Sequence, residues 1–144
     1  MSGRRALNKG KRGEREVVKL LQEAVDEVTE ELAVQRIQLG RNHDQWHLGG
    51  FDIKGLDWCA IEVKYQEQFN IPKWWEQCKS QATNGRIPIL IYRKNNVKWR
   101  IRMFGYLSAE KPRVRCPVEI DLYPFLVYFK SIVRQELRNG PDSN

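Results

Sequence analysis

Two short stretches carry acids and a lysine at spacings that suit metal-assisted attack on a phosphate: Gly50-Phe51-Asp52-Ile53 and Ile61-Glu62-Val63-Lys64. Side chains alternate along a strand, so Glu62 and Lys64 share one face while Ile61 and Val63 turn to the other. Gly55-Leu56-Asp57 between the two runs reads as a hairpin turn centred on Asp57. That centring sets Asp52 opposite Glu62, with their β-carbons about 4.5–5.5 Å apart. Two carboxylates at that distance repel unless something neutralises them. Mg²⁺ is a suitable partner, since it takes one or two carboxylates and completes its shell with water and substrate phosphate. Lys64 would then stand beside the metal, placed to orient or deprotonate a water or to stabilise charge on a pentavalent phosphate. The plain alternative for Glu-x-Lys on a strand is an exposed ion pair.

A third acid joins by helical phase. Val17, Val18, Leu21, Val25, Val28 and Leu32 recur at steps of three and four, predicting an amphipathic helix over about 13–32. Glu14 is next in phase with that apolar stripe, whereas Glu16 lies about 200° round from it, toward solvent. An acid on the buried stripe makes sense where the stripe meets a site.

These residues need a scaffold. Ahead of the helix, residues 1–12 are polar and basic and read as a flexible arm; residues 139–144 read as a frayed tail. Residues 32–39 have β-character, with Val34, Arg36 and Gln38 on one face. A polar loop over 40–50 is long enough to be functional. Strands are expected at 51–54 and 58–65. A helix should start near Pro72 and stop at Asn84-Gly85. Strands at 87–93 and 97–104 turn about Asn95-Asn96, and 109–117 reads as a basic loop bracketed by prolines. A final helix is expected over 122–137, with Pro124 in its first turn. The order α-β-β-β-α-β-β-α predicts an α/β fold in one domain over 1–144, with a mixed β-sheet of about five strands flanked by helices.

Composition narrows the class. The chain has 144 residues with 25 Lys+Arg against 18 Asp+Glu, a net charge of +7, and that excess points to a polyanion, most often nucleic acid. No apolar run approaches the roughly 20 residues that span a bilayer. No apolar segment follows the basic N-terminus, so a secretory signal is not expected. Three cysteines form no disulfide framework and suit a reducing cytoplasm. P-loop, Gly-x-Ser-x-Gly and dinucleotide-binding signatures are absent from the sequence.

Taken together, helix Glu14, strand Asp52 and Glu62-Val63-Lys64 resemble the PD-(D/E)xK nuclease superfamily, with its restriction-endonuclease-like core. The opening segment Lys9-Gly10-Lys11-Arg12-Gly13-Glu14-Arg15-Glu16-Val17-Val18 resembles more closely the archaeal-type Holliday junction resolvases and related phage-encoded enzymes. Ala33-Val34-Gln35-Arg36 matches that family's first strand, and the runs 88–92 and 99–103 match its closing pair. The resemblance covers about residues 8–104; residues 105–144 do not align. Phe51 stands where proline often precedes the Asp, and Gly49-Gly50 replaces a serine- and glycine-rich stretch.

The resemblance implies that Glu14, Asp52 and Glu62 bind Mg²⁺, with Mn²⁺ as the expected substitute, and that Lys64 assists the attacking water. It implies DNA-backbone contacts from Arg15 and Arg36. Lys9, Lys11, Arg12, Arg41 and Lys79 are further candidate DNA contacts, with Arg4, Arg5, His43, His47, Gln77 and the 111–115 loop as possible additions. The expected activity is structure-selective endonucleolytic cleavage of four-way DNA junctions by a homodimer, without a small-molecule cofactor or membrane partner. A restriction-like or repair nuclease on the same fold is the alternative enzyme, and a non-catalytic nucleic-acid-binding domain the alternative from another class. Of Trp74 and Trp75, about 100° apart on a helix, one is expected in the core and the other exposed at a dimer interface or on an unpaired base. His43 and His47 are only half of a zinc site by spacing.

Overall fold

Helix α1 runs over Gly3–Leu32 in the computed structural model, which describes residues 3–43, 50–108 and 112–139. The basic segment expected as a flexible arm therefore forms the first turns of α1. Contacts at the far end of the fold hold it: Lys9 pairs with Glu67, and its ammonium lies 4.7 Å from the Tyr65 ring centroid. Gly13 lets the helix close on the sheet, because a Cβ there would sit 2.8 Å from the Tyr65 Cβ.

Strand β1 (Gly40–Arg41) pairs antiparallel with β2 (Ile53–Lys54), with Gly40 opposite Lys54 and Arg41 opposite Ile53. The other strands are β3 (Cys59–Tyr65), β4 (Ile87–Arg93), β5 (Arg100–Leu107) and β6 (Val114–Asp121). They form a four-stranded mixed sheet in the order β3-β4-β5-β6, parallel between β3 and β4 and antiparallel elsewhere. Helix α2 (Ile71–Gln81) connects the parallel pair, and α3 (Leu122–Arg138) follows β6. The expected α/β architecture, a mixed sheet flanked by helices, is present, with its strands divided between two sheets.

Each face of the larger sheet is packed differently. Val17, Leu21, Val25 and Val28 of α1 and Phe125, Phe129 and Val133 of α3 meet Ile61, Val63, Ile89, Ile91 and Ile101 on one face. On the other, Trp74, Trp75 and Cys78 of α2 lie over Leu90 and Tyr92. Both tryptophans are buried, at 5% and 4% exposure, so neither offers the exposed ring expected of one of them. Trp74 lies beside Tyr92 while Trp75 reaches sideways to Phe104, with ring centroids 6.3 Å and 5.1 Å apart. Two wide side chains 100° apart can both reach a sheet from a helix lying on it.

Three further expectations are corrected. Residues 34–39 form no strand: the side-chain amide of Gln22 donates to the Ile37 carbonyl and accepts from the Leu39 N–H, both at 2.8 Å, in place of a ladder partner. The 51–54 run forms no ladder with β3, because β2 pairs with β1. And 114–117, expected in a loop, belongs to β6, where Pro117 lies opposite Phe104. Proline is tolerated there because β6 is the sheet's edge and needs no outward donor.

Candidate active site

Strand β3 is the other edge of the four-stranded sheet, and the acids gather along it. Asp52, just ahead of β2, donates its N–H to the Ile61 carbonyl at 2.8 Å. Its Oδ2 accepts the Val63 N–H, also at 2.8 Å. Asp52 thus satisfies the exposed edge of β3 at two successive positions and is held beside Glu62. Alternation along β3 puts Ile61 and Val63 into the α1–α3 core, and Glu62 and Lys64 on the opposite face.

Glu62 is 3% exposed and Asp52 8%. The Lys64 ammonium lies 3.5 Å from Glu62 Oε1. Glu62 Oε2 is buried with no hydrogen-bond partner among the described residues. Burial, then the neighbouring Asp52 charge, pushes the Glu62 carboxyl up to about 8, against the opposing pull of Lys64. A partnerless buried carboxylate oxygen is costly unless something is built to meet it.

Glu14 is on the same cleft, as its helical phase predicts, and its Oε1 accepts from Arg41 Nε at 3.3 Å and Nη2 at 3.4 Å. Glu16, expected toward solvent, accepts from Arg93 at 2.8 Å. The cleft encloses about 1130 Å³; Glu14, Asp52, Glu62 and Lys64 line it, with Arg5, Lys9 and Arg12 from α1. The acids thus face basic side chains of α1, of which Lys9 is paired with Glu67 on the same lining and Arg12 with Glu16, cations that could meet a phosphate.

The donor set fits a hard divalent cation: two carboxylates held together, one oxygen without a partner, and, among the described residues, no sulfur or imidazole in the lining. No group of three His, Cys, Asp or Glu side chains among the described residues is arranged to cage a metal by itself. Asp52 and Glu62 are the carboxylates held side by side that could take a divalent cation, while Glu14 is turned to Arg41.

The remaining sequence candidates are spread out. Lys9 and Arg12 line the cleft; Arg15 is exposed on α1 and Lys11 half-buried. Arg36 pairs with Asp26 at 3.0 Å, about 18 Å along α1 from Glu14. Lys79 pairs with Glu76 at 2.7 Å and lies 5.8 Å from the Trp75 ring centroid. His43 is exposed, while His47, most of the 40–50 loop and Lys111 lie outside the described residues.

Sequence reasoning passed over Tyr65 and Gln66–Gln68. The Tyr65 ring carries the Arg93 guanidinium 4.1 Å from its centroid, and its hydroxyl donates to Asn95 at 2.8 Å. The strand ends at Tyr65 and the chain bends over 67–68, so the period-2 pattern does not carry to Gln66 and Gln68, and no local sequence signal announces them.

A search of curated proteins gives no significant match. Among solved structures, the chain is similar to Archaeoglobus fulgidus Hjc, described as a Holliday junction resolvase from an archaeal hyperthermophile. That likeness has 20% identity and a TM-score of 0.45, covering 85% of this chain and 98% of that one. The model of the phage PDDEXK endonuclease family matches residues 5–115, which include Glu14, Asp52, Glu62 and Lys64. With that match spanning most of its length, the chain belongs to the phage PDDEXK endonuclease family and is a nuclease of that type.

Proposed function

We propose that this nuclease is Mg²⁺-dependent, acts as a homodimer, and cuts four-way DNA junctions by paired phosphodiester hydrolysis. The observation that carries the reading is the juxtaposition of buried Asp52 and Glu62 with Lys64 at the floor of a cation-walled cleft. When bound, the metal supplies Lewis-acid activation of water and of the phosphate. Asp52 and Glu62 hold it; Asp52 is fixed by the β3 backbone and does not wander. Lys64, 3.5 Å from Glu62, orients the attacking water and stabilises the charge that builds on the phosphate. Lys9 and Arg12 hold the flanking backbone, and Arg41 keeps Glu14 from adding an unbalanced charge to the floor.

Preference for a junction is supported by the resemblance of residues 8–104, above all Lys9–Val18 and Ile61–Lys64, to the archaeal-type resolvases. A four-way junction has two-fold symmetry and its resolution needs two matched nicks, which a C₂ dimer supplies. Recognition would rest on backbone charge and branch shape rather than on base edges. The test is incubation with a labelled four-way junction and, separately, the linear duplex of one arm pair, in Mg²⁺. Paired nicks in the junction with the duplex intact are expected. Equal cutting of both would leave a nuclease of other DNA.

A further inference from the structure

Past Lys64 a second pocket of about 480 Å³ opens beside the cleft, and Lys64, Gln66 and Gln68 line both. Its other walls include Phe69, Lys73 and Gln77. We propose that this second pocket takes one unpaired nucleobase flanking the scissile phosphate, and that this is what makes the enzyme prefer branch points. The inference rests on the cleft being the nuclease site and deepens that reading.

The chemistry of the walls distinguishes a base from another phosphate. No hydrogen bond within the described residues engages the side-chain amides of Gln66, Gln68 or Gln77. An amide offers both donor and acceptor, which suits the neutral edge of a base. A phosphate would call for cations, and among the described residues the pocket lining adds to shared Lys64 only the exposed Lys73, with the Lys94 ammonium outside it over the Phe69 ring. Asn70 is not a reader, because its side chain caps α2 by accepting the Lys73 N–H. Phe69 supplies a stacking surface: the residue is 41% exposed, its ring is braced by edge contacts to Trp74 and Tyr92 with centroids 5.7 Å and 5.3 Å away, and the Lys94 ammonium lies 5.7 Å from its centroid.

A base paired and stacked in a duplex cannot enter such a pocket. Extruding one costs a few kcal/mol, and least where the base is already unpaired. A strand whose phosphate lies over Asp52 and Glu62 meets the second pocket directly past Lys64. Bulges and single-stranded ends hold such a base outright; in a four-way junction every base is paired, and those at the branch point, where stacking is interrupted, are extruded at less cost than those inside a duplex.

The test is single-turnover cleavage of a junction whose cut position has been mapped, against the same junction with an abasic residue on either side of the cut in turn. Wild type should slow about tenfold on one of the two abasic junctions, the size of one lost base–aromatic contact. The Gln68→Ala/Gln77→Ala double variant, which keeps Phe69, should slow by a smaller factor on the intact junction and no further on that abasic one. Gln68→Ala alone, at an exposed position, should show the same pattern at smaller size if the double variant does not fold. Unchanged wild-type rates on both abasic junctions would overturn the proposal, as would losses from variant and substrate that multiply. Absence of any metal-dependent cutting by wild type would instead remove the nuclease reading, and this inference with it.

Discussion

Oδ2 of Asp52 accepts the backbone N–H of Val63 at 2.8 Å. Val63 lies between Glu62 and Lys64, so the bond ties the isolated acid to the strand that carries the other two groups. The Asp52 N–H, given to the Ile61 carbonyl, adds a second tie one residue pair away. The same carboxylate therefore completes the backbone of an edge strand and faces the cleft.

That double duty separates two substitutions. Asp52→Asn and Asp52→Ala both remove the charge, but only Asn leaves an oxygen for the Val63 N–H. Asp52→Ala should be less stable than Asp52→Asn by about 1–3 kcal/mol, the cost of orphaning a buried donor. Urea unfolding of the two proteins measures it; equal midpoints would mean the bond contributes nothing.

Glu62 predicts a pH dependence in the metal-free protein. Its carboxyl is raised from 4.5 to about 8, chiefly by burial and then by Asp52. The folded chain thus holds a proton that the unfolded chain has released, so stability falls as pH rises from about 4.5 to about 8. Glu62→Gln should flatten this part of the Tm–pH curve. Mg²⁺ affinity should rise over the same window, since the metal binds the ionised acid. Superimposable wild-type and Glu62→Gln curves would contradict the assignment.

Arg41 pairs with Glu14, which lines the cleft. Arg41→Ala should weaken DNA binding and lower the slope of log K against log salt by about 0.9, one phosphate contact. Removing this cation should also lower the Mg²⁺ concentration needed for half-maximal cutting. Binding titrations across a salt series, with a Mg²⁺ titration of rate, check both; an unchanged salt slope would place Arg41 away from the DNA.

Gly13 packs against Tyr65 with no room for a methyl group: a Cβ would lie 2.8 Å from Tyr65 Cβ and 3.4 Å from Trp99. Gly13→Ala should destabilise by about 1–3 kcal/mol, because overpacking outweighs the gain of about 1 kcal/mol in helix propensity. Thermal unfolding tests it; a stabilised variant would mean that α1 can move off the sheet at little cost.

Where local pattern and tertiary demand agree, the sequence was legible. The phase of Glu14 with Val17 and Leu21 placed it on the cleft, and alternation put Glu62 beside Lys64. The proximity of Asp52 and Glu62 was foreseen but for a different reason: turn arithmetic assumed a β2–β3 ladder, whereas a side-chain bond to Val63 and one backbone bond do the tying. Tertiary contacts hid the rest. The Lys9–Glu67 pair spans 58 residues, so nothing local announces that 3–12 is helical. β6 was obscured by Pro117 and the arginines at its start, which an edge strand tolerates. The guanidiniums of Arg113, just ahead of β6, and of Arg115 within it lie over Tyr106 and Phe104 on β5, at 4.4 Å and 4.2 Å. Residues 34–39 have strand-like composition but take their partner from the side chain of Gln22.

The central claim is that Asp52 and Glu62 hold the divalent cation through which this nuclease cuts. The most direct measurement is strand cleavage of an end-labelled four-way junction by wild type, Asp52→Asn and Glu62→Gln, with Mg²⁺ and with chelator. Wild type should nick in Mg²⁺ and stop with chelator, while both variants bind the junction with near wild-type affinity and cut at least about 100-fold more slowly. Cutting by either variant at the wild-type rate, or wild-type cutting that survives chelator, would contradict it.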